Sequence, residues 1–505
     1  MSHRYEVAHG NESEVPLLGN DTHTLQDPPT ASRGLHGLNS ATPIPWKQAG
    51  VVAFAGFSEP ILVNFTFPFI NEMLEGWSNS AEQIAFRSGI FYGGYCLAQF
   101  CSVYFWGTIS DRIGRKPVIL ACLLVGLIST AFLGVSGSFA QALVLRIITG
   151  SGYGDVPVLR SAMGDITDNT NQAFAFSFLP LTWALGNTFA PLIGGLLIHP
   201  VDRFPRMFQD NLFFKEHPYA LACFTASSIS VLAFTAIFFL FKESLPKSEY
   251  RWSHNVATAA ENSPSAILGN RIVRTVLLSY FGIAFAGSSH DVIFPLWMFL
   301  QPQDGGVGLK PAQIAFVLSL SSLLQTLNVL IVFPRLQRRI GTTAVLQFAV
   351  GMNLAFIPCY PVVAWIAQLT RSGSLTSIGG GNPVWVDVHP VLIAAIVMML
   401  VVRSFANLTW AAIMLLVTNA APTPDSLGAV NSVAQMAATA ARAIGPPIFA
   451  SIYTISLDGS IVGKKGAIWT AMLCAGLVSL FISRRVREGQ HEWRIQREEL
   501  RRIGE

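Results

Sequence analysis

Charge is what this chain lacks. Asp, Glu, Lys and Arg make up 12% of its 505 residues against 51% hydrophobic ones, where a soluble domain carries about 25% charged residues. That deficit excludes an ordinary soluble protein. Cysteine is nearly as scarce: Cys96, Cys101, Cys122, Cys223, Cys359 and Cys474 all sit in apolar stretches without a CxxC pair, so neither a disulfide framework nor a metal site is expected. HExxH, GxSxG and dinucleotide fingerprints are missing. The nearest approach to a phosphate loop, Gly459-Ser-Ile-Val-Gly463-Lys464-Lys465, is one residue short and falls in an expected outer loop. Enzymatic chemistry, ATP hydrolysis and a bound cofactor are therefore not expected. A formal charge of only +4 gives no basic patch for nucleic acid. Residues 1–47 are polar and lack the basic start and apolar core of a cleavable signal, which leaves targeting to the first spanning helix.

What the chain has in abundance is uninterrupted apolar sequence. Residues 88–110, 117–145, 173–201, 217–241, 311–334 and 340–370 contain no Asp, Glu, Lys or Arg, and about 20 apolar helical residues suffice to cross a bilayer. The pattern predicts twelve spans, near 48–72, 88–108, 117–137, 139–159, 173–198, 219–241, 275–300, 311–333, 344–370, 390–418, 430–457 and 466–483. With the N-terminus inside, 22 Lys and Arg fall in cytoplasmic segments and 8 in outer loops, so the positive-inside rule puts both termini in the cytoplasm. The expected organisation is a cytoplasmic tail 1–47 without fixed structure, a six-span half 48–241, a cytoplasmic linker 242–271, a second half 272–483, and a cytoplasmic tail 484–505. Landmarks repeat between the halves: Phe67-Pro68 matches Phe294-Pro295, and Arg112-Ile113-Gly114 matches Arg339-Ile340-Gly341, both at offset 227. Arg146 matches Arg403 at offset 257, and Ala190-Pro191 matches Gly445-Pro446 at offset 255.

Charged groups inside these spans mark candidate sites. Glu59 lies 12 residues beyond Lys47 and Arg146 lies 14 before Arg160, depths of about 18 and 21 Å at the helical rise. The two meet at one level if spans 1 and 4 are neighbours, either as a permanent ion pair or as a pair that opens when a proton or cationic substrate binds Glu59. Arg403 in span 10 has Asp291 in span 7 as its best partner. The plainer reading is that His290 and Asp291 line a hydrated outer vestibule. Gly186, Pro191, Gly194 and Gly195 in span 5 suit a close-packed, bendable seam. Phe65, Tyr92, Tyr95, Trp183, Phe281 and Trp410 are candidate cavity aromatics, with lipid-facing or packing roles the plainer reading for each.

The turn after span 2, Gly107-Thr-Ile-Ser-Asp111-Arg112-Ile-Gly114-Arg115-Lys116, resembles the signature loop of the major facilitator superfamily. Span 4, with Arg146-Ile-Ile-Thr-Gly150-Ser-Gly152, is similar to that family's intramembrane arginine motif. Span 5, with Gly186-Asn-Thr-Phe-Ala190-Pro191-Leu-Ile-Gly194-Gly195, looks like its drug/proton antiporter signature with Ala190 replacing a glycine. Phe57-Ser-Glu59-Pro60, Leu416-Val-Thr-Asn419-Ala-Ala-Pro422 and Ala441-Arg442-Ala-Ile-Gly445-Pro446 resemble the fungal and plant tetracycline-resistance-like and zinc-induced-facilitator-like transporters, over roughly residues 45–485. The resemblance implies an all-α membrane protein of twelve helices in two pseudo-symmetric six-helix halves. It also implies a cytoplasmic gate of Gly107, Asp111, Arg112, Gly114, Arg115 and Lys116 closed against Asp165. Pro334-Arg-Leu-Gln-Arg338-Arg339-Ile-Gly341 lacks the aspartate, so a second gate there is expected to be weaker. The function implied is proton-coupled export of small amphipathic molecules by alternating access, with Glu59, Arg146, Asp291 and Arg403 coupling substrate to proton. The alternatives are proton-coupled import of a nutrient or metal chelate, and a membrane sensor that does not transport. The expected setting is the plasma or vacuolar membrane, with lipid, protons and a small-molecule substrate as partners and the chain as a monomer.

Overall fold

A computed structural model of the chain describes residues 42–154, 156–167, 171–245, 264–371, 388–422, 426–457 and 466–487. Most of the expected tails, the centre of the linker, the long loop after span 9 and the phosphate-loop-like segment lie outside the described residues. Twelve helical rods run through the rest, and among the described residues there is no strand. They are α1 (Trp46–Asn64), α2 (Ala81–Ile113), α3 (Arg115–Leu133), α4 (Phe139–Gly152, continued by Val156–Asp165), α5 (Gln172–Leu196) and α6 (Ala220–Leu240). After the linker come α7 (Arg271–Phe299), α8 (Pro311–Ile340), α9 (Thr342–Thr370), α10 (Pro390–Ala420), α11 (Leu427–Leu457) and α12 (Ala467–Ser483). Six of these, α3, α6, α7, α8, α9 and α10, are long and apolar enough to cross a membrane by length and composition alone.

Polar residues set several starts. Ser80 accepts from the Gln83 N–H before α2, Ser138 from that of Gln141 before α4, and Asn270 from those of Ile272 and Val273 before α7, each satisfying amides that a helix leaves without partners. Two expected spans differ in outline. α2 starts at Ala81, earlier than expected, because its first turns carry Glu82 and Arg87 beyond the apolar stretch. The fourth span is interrupted after Gly152 and resumes at Val156. A third irregularity is a π-helical turn, Asn328–Val332, inside α8, where the Asn328 amide donates to Ser404 Oγ at 2.6 Å. Such turns displace the ladder locally and tend to occur at working sites.

Helix pairing repeats between the halves. α1 packs on α5, α2 on α4 and α3 on α6; α7 packs on α11, α8 on α10 and α9 on α12. Across the halves, α2 packs on α11 and α5 on α8. At one end of the bundle, Leu62, Phe65, Phe69 and Tyr92 join Ile293, Leu296, Phe449 and Tyr453 in a single core. Toward the other end, Val52, Ile119, Leu159 and Ile237 form a core built from the first half alone, while Tyr280, Leu346, Leu416 and Val430 form one built from the second. The halves therefore share one core at one end and keep separate cores at the end bearing the Arg115 turn.

Candidate functional site

The turn between α2 and α3 owes its shape to Gly114, whose φ of +108° is one that side-chain-bearing residues rarely adopt. Arg115, released at the start of α3, donates Nε to Asp165 Oδ2 at 3.2 Å and Nη1 to Ser110 Oγ at 2.7 Å, and it pairs closely with Asp111. The expected contact between this turn and the end of α4 is thus present. Glu243, just past α6, completes the cluster. Its carboxylate accepts from the Arg115 and Lys116 amides at 2.8 and 3.1 Å, an anion on the positive end of α3. Sequence reasoning missed Glu243 because it sits 128 positions away in what reads as linker. Lys116 Nζ donates to the Phe238 carbonyl, Arg112 is exposed, and Gly107 faces open space.

Inside the first half, Glu59 is buried on α1 one residue before Pro60. Arg146, 1% exposed, donates Nη1 to the Leu62 carbonyl at 3.0 Å and Nη2 to that of Val63 at 2.8 Å. These carbonyls belong to the last turn of α1, which ends at Asn64 before a non-helical stretch through Phe69. The guanidinium thus caps a helix C-terminus inside the bundle, about one turn past Glu59, and lies 4.5 Å above the Tyr95 ring centroid. Arg146 of α4 thus reaches α1, where backbone carbonyls accept its hydrogen bonds.

In the second half, Arg403 Nη2 reaches Asp291 Oδ1 at 3.2 Å, with the guanidinium stacked 4.4 Å from the Phe294 ring. This is the partner the sequence nominates. Asp291 is 43% exposed against 12% for Arg403, so the carboxylate faces the more open side. His290 does not line a vestibule as the plainer reading supposed. It is buried, bonded to the Tyr360 hydroxyl at 3.2 Å and stacked on that ring, because successive helical residues point to different faces and the apolar α9 side claims it.

The α5 motif is divided between two neighbours. A Cβ on Gly194 would lie 1.7 Å from the Phe65 carbonyl oxygen just past the end of α1, and one on Gly186 would lie 2.3 Å from Pro60 Cγ of α1. A Cβ on Gly195 would instead meet Ala315 of α8 at 2.3 Å, across the halves. Pro191 is buried inside the same helix. The counterpart crossing uses Gly89 and Gly93 of α2 against Ala450 and Pro447 of α11.

One further cluster escaped sequence reasoning. In the loop before α6, His199 Nε2 contacts Glu72 Oε1 at 2.5 Å, and the Tyr219 hydroxyl donates to the same oxygen at 3.3 Å. The hydrogen bond to Glu72 raises the His199 pKa above its ordinary value, outweighing burial. His199 is also the one described non-glycine residue with positive φ, held there by its N–H bond to the Pro218 carbonyl at 2.9 Å.

A model of the Major Facilitator Superfamily matches residues 52–446, and the chain belongs to that family. It is similar to the efflux pump azaK of Aspergillus niger, 26% identical over 417 residues covering 82% of this chain and 83% of that one. It is also similar to the protein ZINC INDUCED FACILITATOR 1 of Arabidopsis thaliana, 24% identical over 423 residues covering 80% and 83%. Among solved structures, a D-xylose-proton symporter superposes with a TM-score of 0.65 at 13% identity, covering 88% of this chain and 98% of that one. The chain is thus an all-α integral membrane transporter that works in the bilayer on small-molecule substrates, not an enzyme.

Proposed function

We propose that this transporter exports small amphipathic organic molecules in exchange for protons. The observation that carries the proton half is Glu59, a carboxylate 4% exposed within a membrane span, where an ionisable group is retained for function far more often than for packing. Proton binding and substrate binding at Glu59 exclude one another, and alternation of the halves carries each across in turn. Arg146 holds the broken end of α1 and so fixes where Glu59 stands. Asp291 and Arg403 form the equivalent, more solvated station in the second half. The Asp111, Arg115, Asp165 and Glu243 cluster stiffens the turn that gates the Arg115 end, and Gly195 and Gly93 are the close crossings about which the halves rock. The direction follows from the α5 sequence, Gly186 to Gly195, which looks like an exporter signature. The positive-inside distribution puts the Arg115 end in the cytoplasm, in the plasma or vacuolar membrane, and the chain works as a monomer.

The test is proton movement in vesicles reconstituted with the full chain under an imposed pH gradient, challenged with amphipathic solutes. Substrate-triggered proton flux, lost in Glu59→Gln, is the expected result. Solute flux that ignores the gradient, or that survives Glu59→Gln unchanged, would overturn the coupling role.

A further inference from the structure

α8 changes character at its π-helical turn. Before the turn, Ala312, Ile314, Ala315 and Val317 are buried, with Ala315 at the Gly195 crossing of α5. From Asn328 to Ile340 no residue is buried, so little packing opposes movement of this part of the helix. The turn itself weakens the rod. The Phe333 N–H bonds back to the Asn328 carbonyl, five residues earlier, and Pro334, next in line, has no N–H to give. The far end is equally loose, because the helix runs into Gly341, where a Cβ would have open space around it. Its counterpart in the first half behaves otherwise: α2 is one unbroken helix from Ala81 to Ile113 and ends on the turn that Glu243 holds.

One contact ties the π turn to the charged pair of the second half. The Asn328 amide donates to Ser404 Oγ at 2.6 Å, and that hydroxyl, 2% exposed, donates in turn to the Val401 carbonyl at 2.7 Å. Ser404 follows Arg403, whose guanidinium reaches Asp291 of α7 at 3.2 Å. Asn328 thus fastens the weak point of α8 to α10 beside that pair.

We propose that the π turn of α8 is a hinge about which the arm Phe333–Ile340 bends relative to the rest of the second half, and that Asn328 is the positioning residue that pins this hinge to α10 through Ser404. π turns and the kinks they cause recur at working sites in helices, and hinges absorb their motion in a few residues. The second half then has a moving part of its own, in addition to any rocking of one half against the other. The hinge concerns how the transporter moves, and it holds whichever solute is carried and whether or not protons are coupled to it.

The test is the distance between nitroxide labels at Arg274→Cys and Arg338→Cys, measured by pulsed electron resonance on the full chain in lipid nanodiscs. Cys101→Ser, Cys359→Ser and Cys474→Ser remove the native cysteines that are not buried. Both labelled positions are exposed and both lie in the second half, so rigid rocking of the halves leaves their distance unchanged. Arg338 stands 8 residues beyond Leu330, about 12 Å at the helical rise, and a bend of about 20° moves it by about 4 Å. The expected result in this parent protein is two distances, or one distribution broadened by about that amount. Asn328→Leu should shift the population toward the second distance. Deleting Val329, which removes the extra residue of the π turn, should leave a single narrow distance. A narrow distance in the parent that Asn328→Leu does not move would overturn the hinge, as would a broad distribution that survives the deletion. A distribution narrowed by the deletion but indifferent to Asn328→Leu would overturn the part given to Asn328. Thermal unfolding reports whether each variant folds; if the deletion variant does not, the parent and Asn328→Leu decide the matter.

Discussion

Gly114 after α2 and Gly341 after α8 occupy corresponding places in the two halves, with φ of 108° and 82° and ψ of 161° and 162°. Only the first is held from outside. A Cβ on Gly114 would lie 2.4 Å from the Glu243 carboxylate, whereas one on Gly341 meets nothing within 4 Å. Around Gly114 stand Asp111, Asp165 and Glu243. In the segment before Gly341, neither Arg338 nor Arg339 has an ion-pair partner among the described residues, and Arg335 donates to a carbonyl of its own helix. The same backbone turn is thus a rigid joint in one half and a free corner in the other. The intramembrane arginines divide the same way. Arg146 is sealed against α1, while Arg403 holds a carboxylate that is nearly half exposed. The first half is built to stay fixed and the second keeps its polar groups available.

Substitutions in equivalent places sharpen that contrast. The largest effect is expected at the glycines facing α1 and α7. Gly194→Ala drives a Cβ into the Phe65 carbonyl and should cost more than about 3 kcal/mol, while Gly445→Ala, whose Cβ would lie 2.8 Å from the Phe285 carbonyl, should cost about 1–3 kcal/mol. Thermal unfolding of the purified proteins ranks them, and equal losses would dissolve the asymmetry. Next comes Arg146→Gln, which strands two buried carbonyls and should destabilise by about 2–5 kcal/mol. Arg403→Gln leaves an acid that water can reach and should cost roughly 1–2 kcal/mol. If Arg403→Gln proves the more damaging in the same assay, the second half is the sealed one.

Smaller again is the turn itself. Glu243→Gln and Asp165→Asn should each cost about 1 kcal/mol and slow transport, while Arg339→Gln leaves both unchanged; solute flux in vesicles, read beside thermal unfolding, checks this. The smallest effect belongs to the Glu72–His199 pair, whose histidine is 38% exposed. Its raised pKa means the stabilisation is full below the ordinary histidine value of about 6.5 and fades as pH climbs through the folded-state value. After screening by solvent it is worth at most about 1 kcal/mol. His199→Gln should therefore lower the unfolding temperature slightly at pH 6 and not at pH 9; the opposite pH trend would mean that the carboxylate does not govern this histidine.

What the sequence made legible was whatever periodicity and charge encode. Apolar run length placed the helices, the Arg403–Asp291 contact followed from lone charges in apolar surroundings, which must find partners, and the Arg115–Asp165 contact was implied by the resemblance of the turn to a family signature. Glu243 was not legible because a carboxylate in a polar segment looks like solvated surface until folding brings it to a helix start. The orientation of His290 was hidden because one step along a helix turns a side chain by about 100°, and a boundary uncertain by two residues cannot say which face is apolar. Arg146 as a cap for α1 depends on where that helix stops, and Phe65 to Phe69 read as continuous span in the sequence.

The single apolar core that joins the halves at one end has a thermal consequence. For the halves to open on that side, Phe65, Tyr92, Ile293 and Phe449 must part, and wherever their surfaces become wet the heat capacity of the protein rises. The balance between the two access states should then curve with temperature. Turnover plotted against inverse temperature would bend even for a protein that remains folded throughout.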